Sequence, residues 1–360
     1  MQFFSAVTLL PLIAFACSGS QAHVLRRHLE EENEFVWPSA EVFDPKVRCG
    51  TEDPTDAEKT EMMQAVTDYY SARRHLAQDT ETIVVETYFH IIKSSTGRGA
   101  TMQMVQDQVD VLNQAYAPHF FFNLTGVTET VNDDWYKLRR LSVQDLTMRA
   151  TLRQGGADAI NVFVANSRGL GWAQPLMSYK LSPETDGVII LDQSMPGGTA
   201  APYNLGMTAV HEIGHSFGIL HTFEDGCSAG GMTGDSIHDT PRQADYTLGC
   251  PIGRDSCPGK LNHAIACLRC QLFSQFFMLA GGGEDPIHNY MDYSDDACMN
   301  EFTEGQFKQM RAMWYTFRAN PEGGNNDSKF LSCTKKALDR VACNENNEQC
   351  CGGVCQPCPI

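Results

Sequence analysis

Basic residues are scarce in this chain. Across 360 residues, 27 Lys and Arg stand against 44 Asp and Glu, a formal net charge of −17. That deficit excludes a nucleic-acid binder, which must offer phosphates a basic face, and an acidic membrane surface would repel the chain as well. Long apolar runs are lacking after the N-terminus. The nearest, Leu272 to Ala280, is interrupted by Ser274 and Gln275 and falls short of the roughly 18–20 residues of a membrane span. No internal repeat is found. The hydrophobic fraction of 42% is ample for a sizeable core, and the length allows two domains or one large domain with attachments.

Cysteine, by contrast, is abundant. Fourteen cysteines point to an oxidising compartment rather than the cytosol. Residues 1–16 form an apolar run without a charge, and Ser20-Gln21-Ala22 reads as a small-x-small cleavage site, so 1–22 is expected to be a secretory signal peptide and the protein extracellular. Residues 23–74 are charge-rich. A helical pattern starts after Asp53-Pro54 and runs through Met62, Met63 and Val66 to the pair Arg73-Arg74, where the order switches to the β-prone run Ile83 to Ile92. A dibasic pair at such a junction is where processing proteases cut, which makes 23–74 a propeptide. It also reads as a surface helix ending in solvated arginines.

The body, 75–318, alternates strands and helices. Strands are expected at 83–92, 119–128, 160–165 and 187–191, with a helix near 101–116 carrying Val105, Val109 and Leu112 at helical spacing. This favours an α/β sheet covered by helices. A second helix is expected at 207–218 and a last one at 303–317, followed by a linker, 319–332, and a Cys-rich module, 333–360.

The most informative stretch runs from His211 to His221: His-Glu-Ile-Gly-His-Ser-Phe-Gly-Ile-Leu-His. Positions four apart share a helical face, so His211 and His215 can address one metal ion, while Ala209, Ile213 and Phe217 anchor the opposite face. Gly218 can end the helix in a left-handed conformation and turn the chain back, delivering His221 as a third nitrogen. Three neutral imidazoles suit a catalytic Zn²⁺ whose fourth position stays open for water. Glu212, beside the first ligand, stands where it can take a proton from that water. The same stretch contains Gly214-His215-Ser216-Phe217-Gly218, a match to the nucleophile elbow of serine hydrolases. That motif needs a sharp strand-to-helix turn, whereas Ser216 falls late in a helix.

These residues resemble the zinc signature of the metzincins, and Thr222-Phe223 beyond them resembles the pappalysin branch. Asn289-Tyr290-Met291-Asp292-Tyr293-Ser294 is similar to that branch's Met-turn, with Phe302-Thr303-Glu304-Gly305-Gln306 as in secreted fungal relatives. The resemblance covers about 83–318. It implies a twisted five-stranded mixed sheet, an active-site helix and an irregular disulfide-linked lower subdomain. It also implies Met291 as the hydrophobic base beneath the zinc and Tyr293 as a hydrogen-bond donor to the developing tetrahedral intermediate. The implied activity is zinc-dependent endopeptidase cleavage of proteins and peptides. Relatives that cut before Arg or Lys place an Asp immediately before the last cysteine of the body. Here that position is Ala297, although Asp295 and Asp296 are close by, so a broader or apolar preference after the scissile bond is expected.

Thirteen cysteines remain once Cys17 leaves with the signal, an odd number, and removing 23–74 takes away Cys49. Cys49, in Arg48-Cys49-Gly50, resembles a cysteine switch whose thiolate fills the open metal position; the other reading is a disulfide to the body. The resemblance implies the pairs Cys227–Cys257 and Cys250–Cys298; Cys267 and Cys270 would then pair locally, the other reading being a redox-active or metal-binding Cys-Leu-Arg-Cys. The acid-dotted loop from Gly234 through Asp239 to Asp255 offers oxygens for a structural Ca²⁺, or is a solvated acidic loop. Asn123 and Asn326 head glycosylation sequons. Six cysteines between 333 and 358 resemble a knottin-like module, which disulfides must staple because so short a segment lacks a core. Its role is docking on a substrate or surface, or stabilisation. A binding protein with the tail as its working part is the rival reading, and retention of Glu212 beside all three histidines favours the enzyme.

Overall fold

The computed structural model describes residues 48–72, 81–227, 234–258 and 283–319, with the backbone of 348–351 and 354–357. The signal peptide, the start of the 23–74 segment, Cys267, Cys270, Asn326 and the disulfides of the tail lie outside the described residues. Of the tail, strands β6 (Glu348–Cys351) and β7 (Val354–Pro357) pair antiparallel.

Five strands form the main sheet: β1 (Ile83–Lys93), β2 (Phe120–Val131), β3 (Ala159–Ala165), β4 (Gly171–Ala173) and β5 (Val188–Leu191). Their order is β2-β1-β3-β5-β4. All neighbours run parallel except β4, which is antiparallel to β5 and forms one edge. Central strands of a parallel sheet are covered on both faces and read as unbroken apolar runs. β3, Ala-Ile-Asn-Val-Phe-Val-Ala, is buried at every position.

Among the described residues six α-helices accompany the sheet: α1 (Asp56–Ala72), α2 (Met102–Tyr116), α3 (Asp133–Tyr136), α4 (Val143–Leu152), α5 (Met207–Ser216) and α6 (Glu304–Phe317). Alternate residues of β3 and β5 serve different layers. Val162, Val164, Val188 and Ile190 join the core shared with α2, α5 and α6. Phe163 and Ile189 join the core on the other face, where Tyr136 of α3 and Met148 of α4 pack with Trp172. Thr101 caps α2 by accepting from the Met104 amide at 3.3 Å. A reciprocal pair, Thr303 with Gln306, caps α6, which starts that helix at Glu304 rather than at Thr303.

The C-terminal end of α6 is tied to the sheet by an ion pair. Arg318 donates to Asp186 at 2.8 and 3.2 Å and to the carbonyls of Ala157 and Ser216. Both side chains are almost wholly buried. Removing one member of such a pair leaves an uncompensated buried charge, which typically costs about 3–5 kcal/mol. Arg318→Ala is therefore expected to lower unfolding free energy by about that much, read by urea denaturation.

Candidate active site and metal centre

Helix α5 is buried along almost its whole length. The Asp296 carboxylate accepts from the amides of Leu205 (2.8 Å) and Met207 (3.4 Å) at its start, where a negative group complements the free N–H ends. Ala209, Ile213 and Phe217 face the core, fully enclosed. At the other end Gly218 takes φ +82°, and the amides of Gly218 and Ile219 close on the carbonyls of His215 and Gly214 at 3.0 Å. That left-handed turn is what sends the chain back past the helix, and His221 arrives beside the two helical histidines.

The three rings converge. His215 Nε2 stands 3.1 Å from His211 Nε2 and 3.1 Å from His221 Nε2. His211 Nδ1 donates to the Tyr290 carbonyl at 2.7 Å and His215 Nδ1 to the Ile219 carbonyl at 2.8 Å. With their protons committed there, both Nε2 atoms carry lone pairs that point at each other, and two acceptors cannot bond. A shared cation is what such a set accommodates. Tetrahedral bonds of 2.0–2.1 Å would hold ligand nitrogens about 3.3 Å apart, close to the spacing seen. Burial and mutual proximity push the His211 and His215 pKa values well down, keeping both rings neutral as ligands require.

Cys49 Sγ completes a group of four ligand atoms, all within 4.8 Å of one another. It is the one free thiol among the described residues. Gly50 N donates to the Gly171 carbonyl at 2.8 Å, and Cys49 bridges Gly171 in the parallel sense. Segment 48–51 thus lies along the outer edge of β4. Thr51 Oγ1 donates to Glu212 at 2.8 Å and accepts from the Ala173 amide at 2.8 Å. Burial raises the Glu212 carboxyl to about 8, against the opposing hydrogen bonds of Thr51 and Cys49. Asp53 lies 3.4 Å from His221 Nδ1.

Met291 is fully buried, and a Cβ on Gly214 would come within 2.6 Å of its sulfur, so glycine at 214 is what lets the turn approach α5. The Tyr293 hydroxyl stands 3.2 Å from His221 Nε2, with its pKa pushed far up by burial and by the neighbouring thiol and Glu212. Ser216 is buried in the last turn of α5, and no strand leads into it as a nucleophile elbow would need. The structure pairs Cys227 with Cys257 and Cys250 with Cys298. In the acid-dotted loop, Asp235 accepts from Ile237 N and Gln306 Nε2, each at 3.0 Å, and Asp239 from Gly305 N at 2.8 Å.

Several site residues carried no assigned role in the sequence. The Arg48 guanidinium is buried, donating to the carbonyls of Tyr293 (2.7 Å) and Ser294 and to the Met299 sulfur. It lies 3.7 Å from Asp296 and stacks over the Tyr203 ring at 4.6 Å. Ala297 faces solvent while Asp296 points inward. Thr51 and Asp53 likewise had no motif to announce them.

Comparison with known proteins gives the site a context. A peptidase family model described as pregnancy-associated plasma protein-A matches residues 195–314. Extracellular metalloprotease 1 of Coccidioides posadasii is 42% identical over 246 residues, 66% of this chain and 79% of the relative. An extracellular metalloprotease of Verticillium alfalfae is 37% identical over 307 residues, 80% of this chain and 99% of that one. Among solved structures, mirolysin in complex with compound 9 superposes with a TM-score of 0.51 at 26% identity, covering 67% of this chain and 97% of mirolysin. A promirolysin point mutant from Tannerella forsythia gives 0.51 at 25% identity, covering 75% and 94%. Family match, relatives and fold agree with the histidine cluster on α5: the chain belongs to the pappalysin family of zinc metalloproteases and has their α/β metzincin fold.

Proposed function

We propose that the chain is a secreted zinc endopeptidase, held latent by its 23–74 segment and favouring a cationic side chain directly after the bond it cuts. One observation carries this reading: Arg48 and Cys49 lie against the candidate metal centre, guanidinium in a buried pocket and thiol among the three histidine nitrogens. Secretion is supported by the signal-like residues 1–22 and by relatives named extracellular. Among the described residues no helix is long and apolar enough to cross a membrane.

His211, His215 and His221 would hold the zinc. When bound, it supplies a Lewis acid and lowers the pKa of water to near 7. Glu212 accepts the proton of the attacking water at its carboxylate and returns it to the leaving amine. Tyr293 donates a hydrogen bond to the oxygen on which negative charge develops, and burial keeps its hydroxyl protonated. Met291 packs under α5 and fixes its height.

In the latent chain Cys49 takes the place of the attacking water and Thr51 occupies Glu212. Replacement of the thiol by a side chain that cannot ligate should free the site without proteolysis. Cys49→Ala is expected to raise the activity of the uncut chain at least about tenfold. The assay is cleavage of an unfolded protein read by product mass spectrometry, with the intact mass of the enzyme checked in parallel. An uncut Cys49→Ala chain as inert as its parent, beside an active cut parent, would remove the switch.

The cationic preference is proposed in place of the broader or apolar one expected from Ala297. Support comes from Asp296, whose carboxylate reaches the pocket from the neighbouring position. For the acidic loop a structural Ca²⁺ stays a proposal, with Asp235 set aside because both of its oxygens already accept hydrogen bonds. A thermal midpoint indifferent to calcium-selective chelation would discard it. Glycosylation is proposed at Asn123, which is exposed on the edge strand β2. The Cys-rich module 333–360 is proposed as an appended knottin-like unit.

A further inference from the structure

Segment 48–72 is fastened twice, and the second fastening lies away from the metal centre. Helix α1 carries Lys59, Met62, Val66 and Tyr69 on one stripe, at i, i+3, i+7 and i+10. Lys59 is 5% exposed, with its Nζ 2.7 Å from Glu224 and 2.9 Å from Asp225. Met62, itself buried, packs with Leu176, Leu220, Met313 and Phe317, with Val66 at the margin. Tyr69 stacks on Tyr315 at 5.7 Å, and the Tyr70 hydroxyl donates to the Lys308 carbonyl at 3.0 Å. The helix also closes its own N-terminus, since the Thr55 amide donates to Glu58 at 2.8 Å and the Glu58 amide to Thr55 Oγ1 at 3.3 Å. Between the two fastenings, Glu52 and Asp53 are exposed.

We infer that the groove of Leu176, Leu220, Met313 and Phe317, closed at one end by Glu224 and Asp225, is a docking surface for an apolar-striped helix bearing one lysine. Its occupant is α1, in cis in the uncut chain and in trans after the chain is cut beyond residue 72. The argument rests on the latency reading above and extends it. None of the contacts that hold 48–72 depends on a covalent link to the body, so cutting the junction leaves the segment seated with Cys49 at the histidines. Activation then needs a second event, either dissociation of the segment or a further cut in the exposed stretch at 52–55. Glu224 and Asp225 make that retention selective. The segment of α1 is otherwise acidic, with Asp56, Glu58, Glu61 and Asp68, and an acidic helix lacking Lys59 would be repelled by them.

The test uses the full-length chain with residues 75–80 replaced by the recognition sequence of a site-specific protease. After a single cut, size exclusion with mass spectrometry asks whether the fragment containing 48–72 co-elutes with the body, and activity is followed on serial dilution. We expect co-elution, and activity that emerges only as the complex is diluted. Lys59→Glu combined with Met62→Asp should raise the apparent dissociation constant at least about thirtyfold and make activity appear at once on cutting. The single variant Lys59→Gln, which keeps the apolar stripe, should fall between the two. Separation of the parent fragment immediately after the cut, or a retained fragment with full activity, overturns the inference. Co-elution is read by mass alone, so failure of the latency reading shows separately, as a body that stays inactive after the fragment has been removed.

Discussion

Glu212→Gln, introduced into the cut and activated chain, is expected to lower kcat/KM toward an unfolded protein by about 10²–10⁴-fold, the range of a lost general acid–base group. Zinc content measured by mass spectrometry should not change, since the amide leaves His211, His215 and His221 untouched. In the uncut chain Glu212 is buried beneath Cys49 and Thr51, and glutamine keeps its volume, so stability should hold as well. A chelator should abolish the remaining activity and zinc should restore it. Were Glu212→Gln to retain parental turnover, the proton would be travelling through another group, and Tyr293 would be the next to vary.

The second large effect concerns Asp296. The Arg48 pocket pairs a buried guanidinium with carbonyl oxygens, an aromatic face and one carboxylate. Loss of one partner in a buried charge pair costs about 2–5 kcal/mol, which is roughly 30-fold or more in rate when the pairing is kept in the transition state. Asp296→Asn preserves an acceptor for the Leu205 amide that starts α5. Matched peptides with Arg or norleucine after the scissile bond separate the two consequences. A fall of at least about 30-fold for Arg, with norleucine little changed, is the expected outcome. Equal falls for both peptides would mean that Asp296 acts only by seating the helix.

Much of the site was legible because its spacing is itself geometry. Two histidines four apart on a helix, then glycine three residues on, encode a shared face and a reversal, and α5 with Gly218 has that form. Strands β3 and β5 were legible because buried strands are written as apolar runs, and β1 because β-branched and aromatic residues crowd its length. β4 was not, since Gly171-Trp172-Ala173 is too short to display an alternation. Helix α4 does carry a local signal: Ser142 accepts from the Asp145 amide at 3.2 Å, and Ser-x-x-Asp is a recognised N-terminal signature. The Arg48 pocket was illegible for a deeper reason. Its walls are largely main-chain carbonyls, which every residue possesses, and its carboxylate comes from Asp296 because a one-residue difference along the chain turns Ala297 outward.

The position of β4 at the sheet's edge has a consequence for how the molecule behaves in a crowd. A strand with free peptide groups on one side recruits other strands, including those of its own kind. In the uncut chain Gly50 and Thr51 engage Gly171 and Ala173, so this adhesive border is masked for as long as the segment stays seated. Under the proposed latency it is bared only after the segment departs, when a guest polypeptide can be laid along it by strand addition. Latency and colloidal safety would then be two effects of one short stretch of backbone.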